Sequence, residues 1–299
     1  MFIKKLISGL IIASLIVAAE WFSPFIWFLA LCGISVVGNY ELQKMIEEKK
    51  YRHSYKLITF FIILFLSVAY VSANVQLNNP DLAENFRLIL SPENNKVSPI
   101  EWKTSISNSV TSLQNLILGI AFILLTIVNL NYKPRVSIGE LSFSFVRILY
   151  LGFFPSYMIL LRALPNGAEL LLGVLVSGSF SDIFAYFTGK SIGKTPFVQE
   201  ISPNKTLEGA FGGAIACILC FMAFGIFLAK IAWFHALIIG ILVAIIAPMG
   251  DLIESLFKRD AGQKDSGSFI PGHGGALDRV DSYIFTSFPV YFYVLYFVY

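Results

Sequence analysis

The sequence has too few charged side chains to cover the surface of a water-soluble protein. Lys, Arg, Asp and Glu make up 14% of its 299 residues, whereas 56% of the residues are hydrophobic. A soluble domain carries about 25% charged residues, because its surface faces water. The apolar residues also form continuous runs, without the alternation that a membrane β-barrel requires. The composition therefore predicts an all-α, polytopic integral membrane protein.

Cysteine and histidine are also scarce, and their positions argue against two kinds of site. Cys32, Cys217 and Cys220 lie inside apolar runs, where neither a disulfide framework nor a thiolate metal site is expected. The three histidines belong to distant segments: His53, His235 and His273. A disulfide-stabilised fold, a redox dithiol and a zinc site are therefore disfavoured.

The apolar runs predict nine membrane-spanning helices, since each span needs about 20 apolar residues. They cover residues 6–19, 21–39, 56–74, 110–131, 142–161, 168–187, 209–229, 232–250 and 281–299. Lys4 and Lys5 ahead of the first run also fit a signal peptide. A second run follows almost at once, however, which favours a helical hairpin.

The distribution of positive charge predicts the orientation of these helices. Short cytoplasmic loops carry an excess of Lys and Arg. Sixteen of the 22 Lys and Arg residues fall in the loops on the side of the N-terminus, and five fall in the opposite loops. We therefore expect a cytoplasmic N-terminus and an outer C-terminus.

The chain divides into two regions by the nature of its polar segments. Residues 1–135 hold N-terminal transmembrane helices with an outer polar insertion at 75–109. We expect residues 136–299 to form a second transmembrane region, whose cytoplasmic loops at 182–208 and 251–282 are the candidate active-site loops of a catalytic region. Both loops fall on the same predicted side of the membrane, so they can share a site.

The first of these segments begins with a carboxylate inside an apolar run. A carboxylate in a lipid-facing helix has a high free-energy cost. We therefore expect Asp182 to face a cation or a wet cavity. The plainer alternative is a polar group on a neighbouring helix. Farther along, Thr206 is placed to cap the next helix, and Lys205 adds a positive charge beside its N-terminus.

The second segment is richer in charged residues at helical spacing. Asp251, Glu254, Ser255 and Lys258 fall at i, i+3, i+4 and i+7, so a continuing helix presents them on one face. A glycine-containing turn follows, and then Asp278 and Asp281 share a face at the start of the last span. An ordinary solvated loop would have scattered charges instead.

These residue types suit a polyphosphate bound with a divalent cation. Mg²⁺ prefers carboxylate oxygens together with substrate phosphates, and Lys and Arg bind the remaining phosphate oxygens. Gly274 and Gly275 allow backbone N–H groups to approach a phosphate closely. The segment therefore predicts a magnesium and nucleotide site where the membrane meets water.

The same residues resemble the signature of the phosphatidate cytidylyltransferase family, also called CDP-diacylglycerol synthases. The matching positions are Ser255, Phe257, Lys258, Arg259, Lys264, Asp265, Gly267, Ile270, Pro271, His273, Gly274, Gly275, Asp278, Arg279 and Asp281. A second similar stretch contains Asp182, Ala185, Tyr186, Gly189, Gly193, Ser202, Pro203, Lys205, Thr206, Glu208 and Gly209. The resemblance covers residues 140–299, and the first 130 residues match it only as hydrophobic helices.

The resemblance implies a reaction, its partners and a location. CTP and phosphatidic acid would give CDP-diacylglycerol and pyrophosphate for phospholipid biosynthesis, with Mg²⁺ as cofactor and room for a monovalent cation such as K⁺. The partners would be the two substrates and the lipid bilayer, with no nucleic acid, and a homodimer is allowed. The protein would lie in the inner membrane as a multi-pass enzyme, with its active site facing the cytoplasm.

The resemblance and the spacing together assign three sets of site residues. The catalytic set is Asp251, Asp278, Lys258, Arg259, His273 and Asp281. The substrate-binding set is Asp182, Ser202, Lys205, Thr206, Glu208, Lys264, Asp265, Gly274, Gly275 and Arg279. The metal ligands are Asp251 and Asp278, supported by Asp182 and Asp281.

Two other functions stay open at this point. A CTP-dependent lipid kinase would share the nucleotide and metal site, but it would release CDP instead of pyrophosphate. A transporter would use Asp182 and Glu169 as coupling groups within the membrane. The transporter is disfavoured because the charged residues gather at one membrane boundary and no internal repeat is seen.

Overall fold

The computed structural model describes residues 23–47, 54–78, 99–131, 137–199, 201–263, 266–267 and 275–298. This part of the chain is almost entirely helical. Its helices are α1 (Pro24–Glu47), α2 (Tyr55–Asn78), α3 (Pro99–Leu130), α4 (Ile138–Ile148), α5 (Phe154–Arg162), α6 (Gly167–Ile192), α7 (Leu207–Phe227), α8 (Trp233–Asp260), α9 (Asp281–Ile284) and α10 (Ser287–Tyr293). A π-helical turn, Leu149–Phe153, joins α4 to α5, and a second, Val294–Val298, follows α10.

Seven helical segments in the described residues are long and apolar enough to cross a membrane. They are Pro24–Met45, Tyr55–Asn74, Val110–Leu130, Ile138–Arg162, Gly167–Ile192, Leu207–Phe227 and Trp233–Asp260. Each corresponds to one of the nine predicted spans. The predicted span at 6–19 lies outside the described residues. The predicted span at 281–299 is a succession of shorter helical pieces that begins with α9.

Several boundaries differ from the sequence-based expectation. Helix α1 continues to Glu47 instead of ending at residue 39, because its polar C-terminal turns pack against the rest of the protein. The predicted insertion at 75–109 is helical at both ends, since α2 reaches Asn78 and α3 begins at Pro99. Residues 182–192 of the first predicted loop belong to α6.

A short antiparallel β-hairpin connects α6 to α7. Its strands are β1 (Pro196–Val198) and β2 (Ser202–Thr206), with Pro196 opposite Thr206. Thr206 also caps α7, because its hydroxyl accepts a hydrogen bond from the Gly209 N–H at 3.2 Å. The expected capping role of Thr206 is thus confirmed.

Helices α6 and α7 pack at very close range because small residues face each other. A Cβ added to Gly213 would lie 2.6 Å from the carbonyl oxygen of Ser181 and 2.9 Å from the Cβ of Ala185. Neither neighbour can move without shifting a helix. This contact keeps Asp182 of α6 close to the hairpin and to the start of α7.

Replacing Gly213 by Val is therefore expected to destabilise the folded protein by about 1–3 kcal/mol, the usual range for overpacking. Thermal unfolding of the purified protein in detergent micelles measures the effect. Gly119→Val is the matched control, because a Cβ at Gly119 meets nothing within 4 Å. Equal unfolding temperatures for the two variants would contradict the close-packing explanation.

Candidate active site

Three carboxylates converge where α8 and α9 meet. Asp251 and Glu254 lie one turn apart on α8, and Asp281 is the first residue of α9. One oxygen from each of the three lies within 4.8 Å of the others. Glu254 is fully buried and Asp281 is 7% exposed. Asp251, Glu254 and Asp281 together form the acidic cluster.

Close contact between the two helices creates this cluster. A side chain at Gly250 would collide with the carbonyl oxygen of Asp281, and its Cβ would lie 3.0 Å from the Cα of Ser282. Glycine at this position therefore lets the start of α9 rest directly on α8. The next turn of α8 carries Asp251 and Glu254 toward Asp281.

The acidic cluster fits a hard divalent cation. Three neighbouring carboxylates repel one another unless a cation or a shared proton lies between them. Glu254 Oε1 is buried and has no hydrogen-bond partner among the described residues, although a buried polar atom normally has one. A site that offers only carboxylate oxygens suits Mg²⁺ or a similar ion better than zinc.

A lysine links this cluster to Asp278. Lys258 Nζ lies 2.5 Å from Glu254 Oε2 and 2.7 Å from Asp278 Oδ1. The other oxygen of Asp278 accepts hydrogen bonds from the Gly275 N–H at 2.8 Å and from the Ser266 hydroxyl at 2.9 Å. Asp278 therefore connects α8 to both described flanks of the segment between α8 and α9.

These contacts determine the charge of Asp278. Burial alone would raise its pKa, but hydrogen bonds from the Lys258 ammonium group and the Gly275 amide outweigh burial and lower the pKa to about 2. Asp278 is therefore ionised at every physiological pH. Its negative charge partners the Lys258 ammonium group throughout that range.

The hairpin brings a second lysine to the site. Lys205 on β2 forms an ion pair with Asp251. Arg259 of α8 contacts the same hairpin, because its Nε donates to the carbonyl oxygen of Ile201 at 3.3 Å. The segments around 182–208 and 251–282 therefore meet. This agrees with their placement on the same predicted side of the membrane.

Asp182 faces this meeting point from α6. Its side chain is exposed, and its electrostatic neighbours are Asp281, Asp251 and Lys205. Asp182 therefore lies within electrostatic range of the acidic cluster and of the hairpin lysine. A cation or a wet cavity beside Asp182 stays a prediction.

Glu208, which stays a predicted substrate-binding residue, makes contacts within the protein. Its carboxylate accepts hydrogen bonds from the Lys194 N–H at 3.1 Å and from the Thr195 hydroxyl at 2.9 Å. These contacts hold the turn after α6 against the start of α7. Ser202 lies on β2 opposite Val198, where it contributes to the hairpin.

Asp278 and Gly275, which we expected to bind the metal and a phosphate, contact each other. Asp278 remains a predicted metal ligand, although its oxygens contact Lys258, Ser266 and Gly275. The Gly275 N–H donates to Asp278 and not outward toward a substrate. Five other predicted positions are not described by the structure: Lys264, Asp265, His273, Gly274 and the side chain of Arg279.

Two residues of the site were missed as functional candidates. Glu254 was noted for its spacing but was not assigned to the metal, although its i+3 position from Asp251 was the available signal. Tyr150 lies in the π-helical turn before α5, a kind of turn that is frequent at functional sites. Its hydroxyl is buried without a partner among the described residues, and Asp281 and Glu254 lie within electrostatic range.

Comparison with known proteins places the chain in a family. The model of the Cytidylyltransferase family matches residues 3–297. The chain is 40% identical to phosphatidate cytidylyltransferase 5, chloroplastic, of Arabidopsis thaliana, over 54% of the chain and 46% of that protein. It is 37% identical to phosphatidate cytidylyltransferase of Synechocystis sp., over 55% of the chain and 66% of that protein.

A further relative carries no activity in its name. The uncharacterized protein YnbB of Escherichia coli (strain K12) is 44% identical over 44% of each chain. The chain thus spans between 44% and 66% of the length of these three curated relatives.

Proposed function

The chain belongs to the cytidylyltransferase family, and from that premise we propose that it transfers the cytidylyl group of CTP to phosphatidic acid. The products are CDP-diacylglycerol and pyrophosphate. The names of the two phosphatidate cytidylyltransferases similar to it support this substrate pair. The observation that carries the proposal is the convergence of Asp251, Glu254 and Asp281 beside Lys205 and Lys258.

The acidic cluster is the proposed magnesium site. Carboxylates outnumber lysines around the acidic cluster, so without a metal ion the site would repel a nucleoside triphosphate. Asp251, Glu254 and Asp281 would hold Mg²⁺. Glu254 Oε1, which has no hydrogen-bond partner in the described part of the chain, supports this assignment. When bound, Mg²⁺ neutralises phosphate charge and orients the phosphate oxygens. Asp182 and Asp278 complete the acidic surroundings.

The proposed reaction needs no general base. A phosphate monoester has a second pKa near 6, so phosphatidic acid is largely a dianion at neutral pH. One of its oxygens attacks the α-phosphorus of CTP, the new P–O bond forms, and the bond to pyrophosphate breaks. The protein then acts by positioning and charge neutralisation.

The basic residues have different proposed roles. Lys205 lies on the hairpin at the open side of the acidic cluster, which suits contact with a substrate phosphate. Lys258 is enclosed between Glu254 and Asp278, which suits holding these two carboxylates in place. Arg259, Lys264, Arg279 and His273 remain proposed phosphate-binding residues on the strength of the signature alone.

We further propose a location in the inner membrane with the active site facing the cytoplasm. The bias of Lys and Arg toward one set of loops supports this orientation. Nine spans, with an inner N-terminus and an outer C-terminus, remain the proposed topology.

Two labelled forms of CTP test the proposed function. Purified protein in detergent micelles receives phosphatidic acid, Mg²⁺ and CTP labelled at either the α- or the γ-phosphate. Cytidylyl transfer moves the α-label into the lipid and leaves the γ-label in pyrophosphate.

The same assay distinguishes a CTP-dependent lipid kinase. A kinase would move the γ-label into the lipid, release CDP and prefer diacylglycerol or another alcohol to phosphatidic acid. Incubation with diacylglycerol in place of phosphatidic acid is therefore the matched control. Transfer of the γ-label would refute the proposed function.

A further inference from the structure

Helix α1 contributes a buried carboxylate to the segment that carries Asp278. Glu41 is 3% exposed. Its Oε1 accepts a hydrogen bond from the Ala276 N–H at 2.9 Å, and its Oε2 accepts one from the Leu277 N–H at 3.0 Å. Both donors lie at the start of the 3₁₀ turn Leu277–Arg279.

The same carboxylate also reaches the other flank of this segment. The Ser266 hydroxyl lies 3.4 Å from Glu41 Oε2 and 2.9 Å from Asp278 Oδ2. A side chain at Gly275 would collide with Ser266 and with Glu41. Glu41, Ser266 and Gly275 thus pack together directly behind Asp278.

A separate network holds α1 in position for these contacts. Arg147 is fully buried, and its guanidinium donates to the Asn39 side chain at 2.9 Å and to the Gln43 side chain at 2.7 Å. Asn39 and Gln43 are one helical turn apart on one face of α1, and Glu41 projects from the opposite side. Helix α1 is therefore fixed between α4 and the segment before α9.

From this arrangement we propose that Glu41 is a positioning residue for the reaction. It holds the backbone of Ala276 and Leu277, and thereby sets the places of Asp278 and Asp281 relative to α8. Among the described residues, Glu41 hydrogen-bonds with Ser266, Ala276 and Leu277 and with no member of the acidic cluster, so it acts through the backbone and not as a ligand. The effect on catalysis rests on the proposed function, whereas the structural contact does not.

The substitution Glu41→Gln tests this role with little change in shape. A glutamine has one acceptor oxygen, so it can satisfy either the Ala276 or the Leu277 N–H, and its NH₂ group faces the other donor. We expect kcat per folded protein to fall by about 10- to 100-fold, because small misplacements of reacting groups have effects of that size. The KM for CTP should change little.

Hydrogen exchange supplies a readout that needs no activity. In the full-length variant, mass spectrometry of peptides that cover residues 275–284 should show exchange about tenfold or more faster than in the wild type, since local opening is easier. Glu169→Gln is the matched control. It removes the same charge in the first turn of α6, about 20 Å along that helix from Asp182, and should change neither readout.

The two readouts separate the possible results. Unchanged exchange in Glu41→Gln, or unchanged kcat per folded protein with only a lower yield, would overturn the proposal. If exchange accelerates in Glu41→Gln but the wild type transfers no cytidylyl group, the backbone contact stands and the proposed function fails.

Discussion

Replacing Asp281 by Asn is expected to lower the rate of CDP-diacylglycerol formation by about a thousandfold or more, because a bound divalent ion supplies several kcal/mol of charge stabilisation. Asp281 is buried, and one of its oxygens already accepts a hydrogen bond from the Ser282 N–H at 2.7 Å. An asparagine would lose one ligand oxygen, or would turn its NH₂ group toward Glu254. Either change removes an anionic ligand from the acidic cluster.

Activity alone would not separate lost metal binding from a misfolded site. Binding of Mn²⁺ to the purified protein, followed by electron paramagnetic resonance, supplies the second measurement. The dissociation constant for Mn²⁺ should rise strongly in Asp281→Asn. Asp260→Asn makes the same change at the exposed end of α8 and should leave both values near those of the wild type. Wild-type Mn²⁺ affinity in Asp281→Asn would exclude Asp281 as a ligand.

The acidic face of α8 could be predicted from the sequence because it depends on local periodicity. Asp251, Glu254 and Lys258 follow a helical spacing that survives in the structure unchanged. Asp281 could also be predicted as a site residue, since a carboxylate at the start of an apolar run needs a polar environment. Contacts of this kind need only the geometry of one helix and the place where it ends.

The partners of Asp278 and the role of Glu41 could not be predicted in the same way. Glu41 and Leu277 are 236 positions apart in the chain, and they meet only through tertiary packing of α1, including its hydrogen bonds with Arg147 of α4. The polar residues from Asn39 onward suggested the end of a span. In the folded protein they remain helical because Arg147, Asn39 and Gln43 satisfy one another in the interior. Nearly every residue has a backbone amide, so residue identity does not reveal which amides Glu41 will contact.

The second large effect is expected for Asp278→Asn, which should lower kcat by about 100-fold or more, in the range found when a group that positions reactants is displaced. The substitution weakens the contact with Lys258 and leaves Glu254 as the remaining anionic partner of that lysine. It also puts an NH₂ group near the Gly275 N–H or the Lys258 ammonium, where an acceptor is required.

The Mn²⁺ measurement decides which role of Asp278 accounts for this loss. Its two oxygens contact Lys258, Ser266 and Gly275, so we expect the Mn²⁺ dissociation constant to rise less in Asp278→Asn than in Asp281→Asn. A rise as large as that of Asp281→Asn would instead identify Asp278 as a direct ligand, as its place in the signature implies. Near-wild-type turnover by Asp278→Asn would remove it from the site altogether, since neither a ligand nor the partner of Lys258 can lose its charge without effect.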